Sequence, residues 1–288
     1  MNQKQKAVTY LPQEIPKARI LITVKTYPKP SGKYGELVCT AGLLEGEQWI
    51  RIYPVNYKFL SDDRKYGKYS WIELDLKRNL KDFRPESYRP GHGIDEDIKV
   101  IGRLGTESQW AARKDYILKE VFTSMNELIK LAKSHQNKSL AVYKPVEIID
   151  FVIEEDDRAW KDKWLAQAKQ GNFFEADPKN MGKERPLIQK LPYKYSYKLV
   201  GQGDTKARIL SIEDWEIGAL FWNCLKKTNG DEKAANGLVR DKYFKTFREK
   251  RDLHLFLGTT LEHHGRSRNP FIIIGVFYPP KSAQISMF

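Results

Sequence analysis

Cysteine is scarce in this chain: Cys39 and Cys224 are the two in 288 residues, with no CxxC spacing and no histidine spaced to pair with either. A disulfide framework and a cysteine-based zinc site are therefore not expected, and a reducing compartment is. Long apolar runs are missing as well. The longest, Phe271 to Tyr278, falls far short of the about 20 residues a membrane-crossing helix needs. The polar start, Met1 to Lys6, leads into no apolar stretch of signal-peptide length. A cytosolic protein without membrane contact is expected. The chain also lacks GxxxxGK, GxGxxG after a strand, HExxH and GxSxG, which leaves ATPase, dinucleotide-binding and standard hydrolase chemistries without support. No internal repeat or heptad is seen, and no resident cofactor is expected.

What the chain has is basic charge. Lysine and arginine number 50 against 37 acids, a formal charge of +13, and the excess is spread along the chain. The positive field then belongs to the folded body, and a polyanion, nucleic acid first, is the expected partner. The competing explanation is a merely soluble basic protein. A hydrophobic share of 41% with 12% aromatics provides for a real core in one large or two medium domains.

The β-branched run at 19–27 is stopped by Pro28, Pro30 and Gly32, and strands follow at 36–44, 49–55, 70–77 and 98–104. Short strands at this spacing predict a small barrel of OB or SH3-like kind. Helical spacing of Trp110, Ile117, Val121, Leu128 and Leu131 predicts a helical element over 107–134. A strand is expected over 140–153, interrupted by Pro145, and an amphipathic helix over 157–169 carrying Trp160 and Trp164. Residues 171–190 read as a flexible insertion. Strands at 191–200, 207–212, 254–258 and 271–278 and helices to about 227 and at 237–251 complete the pattern. The fold class is thus α+β: a barrel module with its helical element over 1–138, an α/β module with an antiparallel or mixed sheet over 139–280, and a tail over 281–288.

The two-residue period of strand 49–53 sets Ile50 and Ile52 on one face and Trp49, Arg51 and Tyr53 on the other. An aromatic-basic-aromatic stripe of this kind binds single strands on OB-like sheets, by stacking and phosphate contact; the alternative is a second buried face covered by the helical element. Strand 70–77 similarly separates Ile72, Leu74 and Leu76 from Trp71, Glu73, Asp75 and Lys77. Asp75-Leu76-Lys77 has the acid-x-lysine form of metal-dependent nucleases, which take Mg²⁺ or Mn²⁺; a solvated strand face is the preferred explanation. Segment 83–90 reads as neither helix nor strand, with Pro85 and Pro90 holding Arg84 and Arg89 in a stiff loop. Those arginines either face phosphate or pair with Asp82, Glu86 or Asp95. Lys242, Lys245 and Arg248 share a helical arc opposite Tyr243, Phe244 and Phe247. Arg266 and Arg268 lie in a polar loop suited to anions, and Glu213, Asp214 and Glu216 sit where a helix begins, where capping explains them. The adjacent pair His263-His264 is weak evidence for a metal.

The last five residues, Gln284-Ile285-Ser286-Met287-Phe288, resemble the sliding-clamp-binding peptide of bacterial DNA enzymes. The resemblance implies that Met287 and Phe288 fill an apolar pocket while Gln284 bonds at its rim; a last strand ending in apolar residues is the competing reading. Two blocks look familiar together. One holds Lys25-Thr26-Tyr27-Pro28, Val38-Cys39-Thr40-Ala41-Gly42 and Trp49-Ile50-Arg51; the other holds Ile212-Glu213-Asp214-Trp215-Glu216, Leu255-Phe256-Leu257-Gly258-Thr259 and Ile272-Ile273-Ile274-Gly275-Val276. They resemble an uncharacterised group of bacterial proteins whose N-terminal part is similar to dual OB-fold domains of phage-defence and mobile-element systems. The likeness implies a nucleic-acid context and supplies no catalytic residue. Some relatives carry paired cysteines ahead of the Asp-Trp-Glu element; this chain has Gly201-Gln202-Gly203-Asp204, so no zinc knuckle is expected. The expected function is a DNA-associated recruitment protein, docked on the clamp through Gln284, Met287 and Phe288, in phage defence, mobile-element function or repair, within a larger complex if one forms. The alternatives are a clamp-targeted nuclease using Glu73, Asp75 and Lys77, and a single-stranded RNA-binding module.

Overall fold

The structure, a computed structural model, describes residues 11–31, 35–55, 57, 60, 64–92, 98–162, 165, 166 and 188–281. The tail peptide 284–288, Trp164 and most of the insertion read at 171–190 lie outside the described residues. The first seven strands are β1 (Glu14–Lys25), β2 (Lys29–Ser31), β3 (Gly35–Leu44), β4 (Trp49–Val55), β5 (Ser70–Arg78), β6 (Ser87–Pro90) and β7 (Lys99–Arg103). Five of them close into a ring, β1-β3-β4-β6-β5, because β5 also pairs with β1. The β4–β6 pair is parallel and the other ring pairs are antiparallel. Such closure removes sheet edges and is the connectivity of an OB-like barrel. β2 and β7 hang outside the ring, on β3 and β5.

Alternation decides what fills the barrel. Ile20 and Ile22 of β1, Ile50 and Ile52 of β4, and Ile72, Leu74 and Leu76 of β5 point inward and pack with Tyr88 in one cluster. The strand faces read from the period of two are those observed. Segment 83–90 differs from expectation: its second half is β6, the strand that closes the ring. The prolines hid it, yet Pro90 ends the strand and Tyr88 is fully buried, its hydroxyl donating to the Pro12 carbonyl at 2.6 Å.

The helical element is two helices, α1 (Glu107–Ile117) and α2 (Met125–Lys133), with the short strand β8 (Val121–Phe122) between them. Ser124 starts α2 by accepting from the Glu127 amide. The first turn of α1 runs left-handed through Ser108, Gln109 and Trp110, and sets the Trp110 ring against Phe277 and Tyr278. The strand expected over 140–153 is divided at Pro145 into β9 (Leu140–Tyr143) and β10 (Glu147–Glu155).

The remaining strands are β11 (Tyr193–Val200), β12 (Arg208–Ser211), β13 (His254–Thr259) and β14 (Phe271–Phe277), with helices α3 (Trp215–Lys227) and α4 (Glu232–Arg240). The helix expected at 237–251 begins earlier, at Glu232, and passes through a π-helical stretch, Asp241–Thr246, before its last turn, Phe247–Lys250. Two sheets result: antiparallel β10-β11-β12, and mixed β14-β13-β9-β8, in which β8–β9 is parallel. They share a core with α2, α3 and α4 that includes Phe151, Tyr195, Tyr197, Phe221 and Val239.

A third cluster joins the two halves. Leu21, Val24, Ala41 and Leu43 on the outside of the barrel pack against Leu140, Val142, Phe256, Ile274 and Phe277. β1 is therefore buried on both faces from Ile20 to Lys25. Helix α3 approaches closely where Gly218 lies: a Cβ there would fall 2.4 Å from ring carbons of Tyr27. Phe256 is fully buried at the centre of the junction, edge-on to Trp49 with centroids 6.0 Å apart. Phe256→Ala is expected to lower unfolding stability by about 3–5 kcal/mol in urea titration, where a surface position would change it by less than about 0.5 kcal/mol.

Candidate nucleic-acid interface and the buried charges beside it

In OB barrels the second and third ring strands, here β3 and β4, form the ligand face together with flanking loops. In this chain that face is covered. Trp49 packs on Phe256 of β13, and Arg51 is buried at 5% exposure. One Arg51 nitrogen donates to the Ser139 carbonyl and hydroxyl at 3.4 and 3.3 Å, and another reaches Cys39 Sγ at 3.6 Å. Ser139 in turn donates its amide and hydroxyl to Glu86 at 3.0 and 2.9 Å. The stripe is therefore not an open binding face: Arg51 is buried and Trp49 partly buried against the second half of the chain, and Tyr53, 42% exposed, is its most exposed member. The period of two assigned the face correctly, but it carries no information on what covers it.

Arg84 is also buried, and it pairs with Asp82 through Nε at 2.8 Å and a terminal nitrogen at 2.5 Å. Its other terminal nitrogen donates to the Thr259 carbonyl. Burial works against the Asp82 charge, but the Arg84 hydrogen bonds and charge, with the Ser87 hydroxyl, hold that carboxyl below its ordinary range. Arg84 is therefore a loop anchor and not a phosphate contact, the acid-paired alternative, whereas Arg89 is exposed on β6. Below this anchor lies His264, 2% exposed. Its Nε2 donates to the Ala132 carbonyl at 2.9 Å, so Nδ1 accepts from the Thr259 hydroxyl at 2.7 Å. Burial pushes its pKa down.

The other basic residues are exposed. Lys242, Lys245 and Arg248 form the outer arc as read, with Tyr243 and Phe247 buried behind them. Lys245 pairs with Asp241 at 2.6 Å, and Arg248 lies 3.7 Å from Glu147 and over the Phe244 ring. Arg266 and Arg268 are exposed, with no ion pair among the described residues. On β5, Asp75 accepts from the Lys17 amide at 2.7 Å and Lys77 pairs with Glu14 at 3.3 Å. Among the described residues no three His, Cys, Asp or Glu side chains converge as a metal-binding group.

One cluster went unread in the sequence. Lys68, two residues before β5, reaches across to the start of α3: its Nζ lies 2.9 Å from Glu216, 3.5 Å from Asp214 and 3.3 Å from the Val276 carbonyl. Asp214 caps α3 as expected, accepting from the Glu216 amide at 3.2 Å. It is nonetheless fully buried. Burial, with Glu216 beside it, raises the Asp214 pKa to about 6, against the pull of Lys68. Lys68 itself is held above the usual lysine range by the two carboxylates, which outweigh its burial. The signal for its partner was absent because 146 residues separate the pair.

Beside them Lys25 donates to the Tyr66 carbonyl at 3.1 Å, 4.1 Å from the Tyr57 ring centre and 4.9 Å from that of Trp215. Burial, aided by Lys68, lowers its pKa to about 8 against the nearby carboxylates. Four charges from both halves thus neutralise one another at one end of the barrel.

An OB-like barrel sealed by a second α+β unit defines the architecture. Residues 16–119 match the model of a domain of unknown function, DUF8758, and residues 121–288 that of another, DUF8757. The chain belongs to the DUF8757 family, whose model spans more than half of it. No curated protein matches the chain.

Removing Lys68 leaves Asp214 buried without its counter-ion, so Lys68→Ala is expected to cost about 3–5 kcal/mol in denaturant unfolding. The sign for Asp214 follows from linkage. A carboxyl raised to about 6 contributes stability that is full below its unfolded value, near 3.9, and is lost as pH rises through about 6. Asp214→Asn keeps a capping side chain and removes that titration. The slope of its urea midpoint against pH between about 4 and 6 is expected to be more positive than that of the wild type, and an equal or more negative slope would contradict the assignment.

Proposed function

We propose that this protein is a DNA-associated binding and recruitment protein, whose body holds nucleic acid while residues 284–288 dock it on the sliding clamp. One observation carries the reading: a closed barrel with OB-like connectivity lies in a chain whose formal charge is +13. Barrels of this kind serve oligonucleotides, and the charge supplies the phosphate attraction on which affinity rests. The tail supports it, since Met287 and Phe288 offer an apolar pair and Gln284 a hydrogen-bonding group after the Pro279-Pro280 stop. A role in phage defence, mobile-element function or repair follows from the resemblance in the two sequence blocks.

The clamp arm is tested by calorimetry with a purified bacterial sliding clamp. The double change Met287→Ala and Phe288→Ala is expected to abolish binding with an unchanged melting temperature; unchanged affinity removes the clamp from the proposal. Titrating DNA and RNA strands across a salt series separates the DNA reading from the RNA-binding module, which requires tighter RNA binding at every matched salt concentration.

A further inference from the structure

Two loops from opposite halves of the chain meet at the rim of the covered face. One, 79–86, joins β5 to β6; the other, 260–270, joins β13 to β14. Arg84 ties the first to the Thr259 carbonyl, and Phe83 stands edge-on to His264, centroids 5.2 Å apart at 75°. Buried and exposed side chains alternate here: Asp82 and Arg84 are anchored within, while Leu80 is 84% and Phe83 53% exposed. Leu261 of the other loop is 44% exposed. Lys81, Arg266 and Arg268 are exposed and have no ion pair among the described residues, and Glu262 is the single acid in 260–270.

We infer that this composite surface is a binding site for single-stranded nucleic acid, with Phe83 stacking on an unpaired base and Arg266 and Arg268 contacting phosphates of the same strand. The inference rests on the nucleic-acid reading above and places its site. The face of β3 and β4 is occupied by the second half of the chain, so a strand meets the barrel through the β5–β6 loop and through residues the barrel itself does not supply. A half-exposed aromatic ring in loops that also carry lysine and arginine suits a base within a flexible polyanion. Paired bases stack on one another within a duplex and present no free face to such a ring. The anchors beneath matter equally, because a ring already held in place loses little entropy on binding.

Fluorescence anisotropy of the full chain with a labelled mixed-sequence DNA strand, its duplex, and the matching RNA strand tests this. Single strands are expected to bind more tightly than the duplex. Phe83→Ala is expected to weaken single-strand binding by about 5- to 100-fold at one salt concentration, leaving the salt slope unchanged, and Phe83→Trp to restore it. Arg266→Ala with Arg268→Ala is expected to reduce the slope of log K against log salt by about 1.4, at about 0.7 per phosphate contact. Should Phe83→Ala disturb the fold, Leu80→Ser, at the most exposed of these positions, and the arginine pair test the same surface. Tight single-strand binding that none of these changes alters overturns the site and leaves the nucleic-acid function standing; wild-type protein that binds no strand removes both. Clamp binding lost in Phe83→Ala with single-strand affinity unchanged overturns the site in favour of a protein-docking surface. The relative affinity of the two strand types states which is the ligand.

Discussion

The outer face of β1 and β3 carries a cluster of large apolar side chains, and the rest of the structure depends on its being kept from water. Leu21, Val24, Ala41 and Leu43 cannot stay exposed without forfeiting about 1.5–3 kcal/mol for each large side chain. β9, β13 and β14 supply the cover with Leu140, Val142, Phe256, Ile274 and Phe277. Because that cover arrives from residues far along the chain, the barrel and the second unit form one packed body. Polar groups at its margins then have to be satisfied inside protein, which accounts for Arg51 on Ser139, Arg84 on Thr259, and Lys68 between two carboxylates.

The same contact redirects the barrel's chemistry. A sheet laid across β3 and β4 takes the place where this architecture ordinarily receives a strand, and turns an aromatic-basic stripe into part of a core. What stays outside there is the rim formed by the β5–β6 loop and the β13–β14 loop, while the basic helical arc is exposed near the far end of β14. The charge cluster at the opposite margin is close to neutral, with Lys25 and Lys68 against Asp214 and Glu216, so it adds little to the positive field. Its arrangement serves to register the start of α3 against the barrel.

Local order was legible where a single period governed it. The runs at 49–55 and 70–77 gave both the strands and their inward faces, since alternating side chains can bury only one face inside a closed ring. Pro145 marked the break between β9 and β10, and the acids at 213–216 marked the start of α3. β6 was not legible, because prolines at 85 and 90 mask a strand of four residues whose parallel partner lies in β4. The functional reading of Arg51 and Arg84 failed for a related reason. An arginine on an outward face looks the same in sequence whether water, phosphate or another part of the chain lies opposite it.

By itself the sequence determined the composition of the body, its positive charge, the faces of the strands at 49–55 and 70–77 and the start of α3, since each depends on neighbours a few residues apart. The tertiary structure decided which strands close the ring, that the barrel's ligand face is covered, and that Lys68 meets Asp214. Those outcomes turn on contacts between residues far apart in the chain, as in Arg51 with Ser87 across β4 and β6, Arg51 with Ser139, 88 apart, and Lys68 with Val276, 208 apart. No local pattern encodes such pairs; they form because each half holds an apolar face that only the other is shaped to bury.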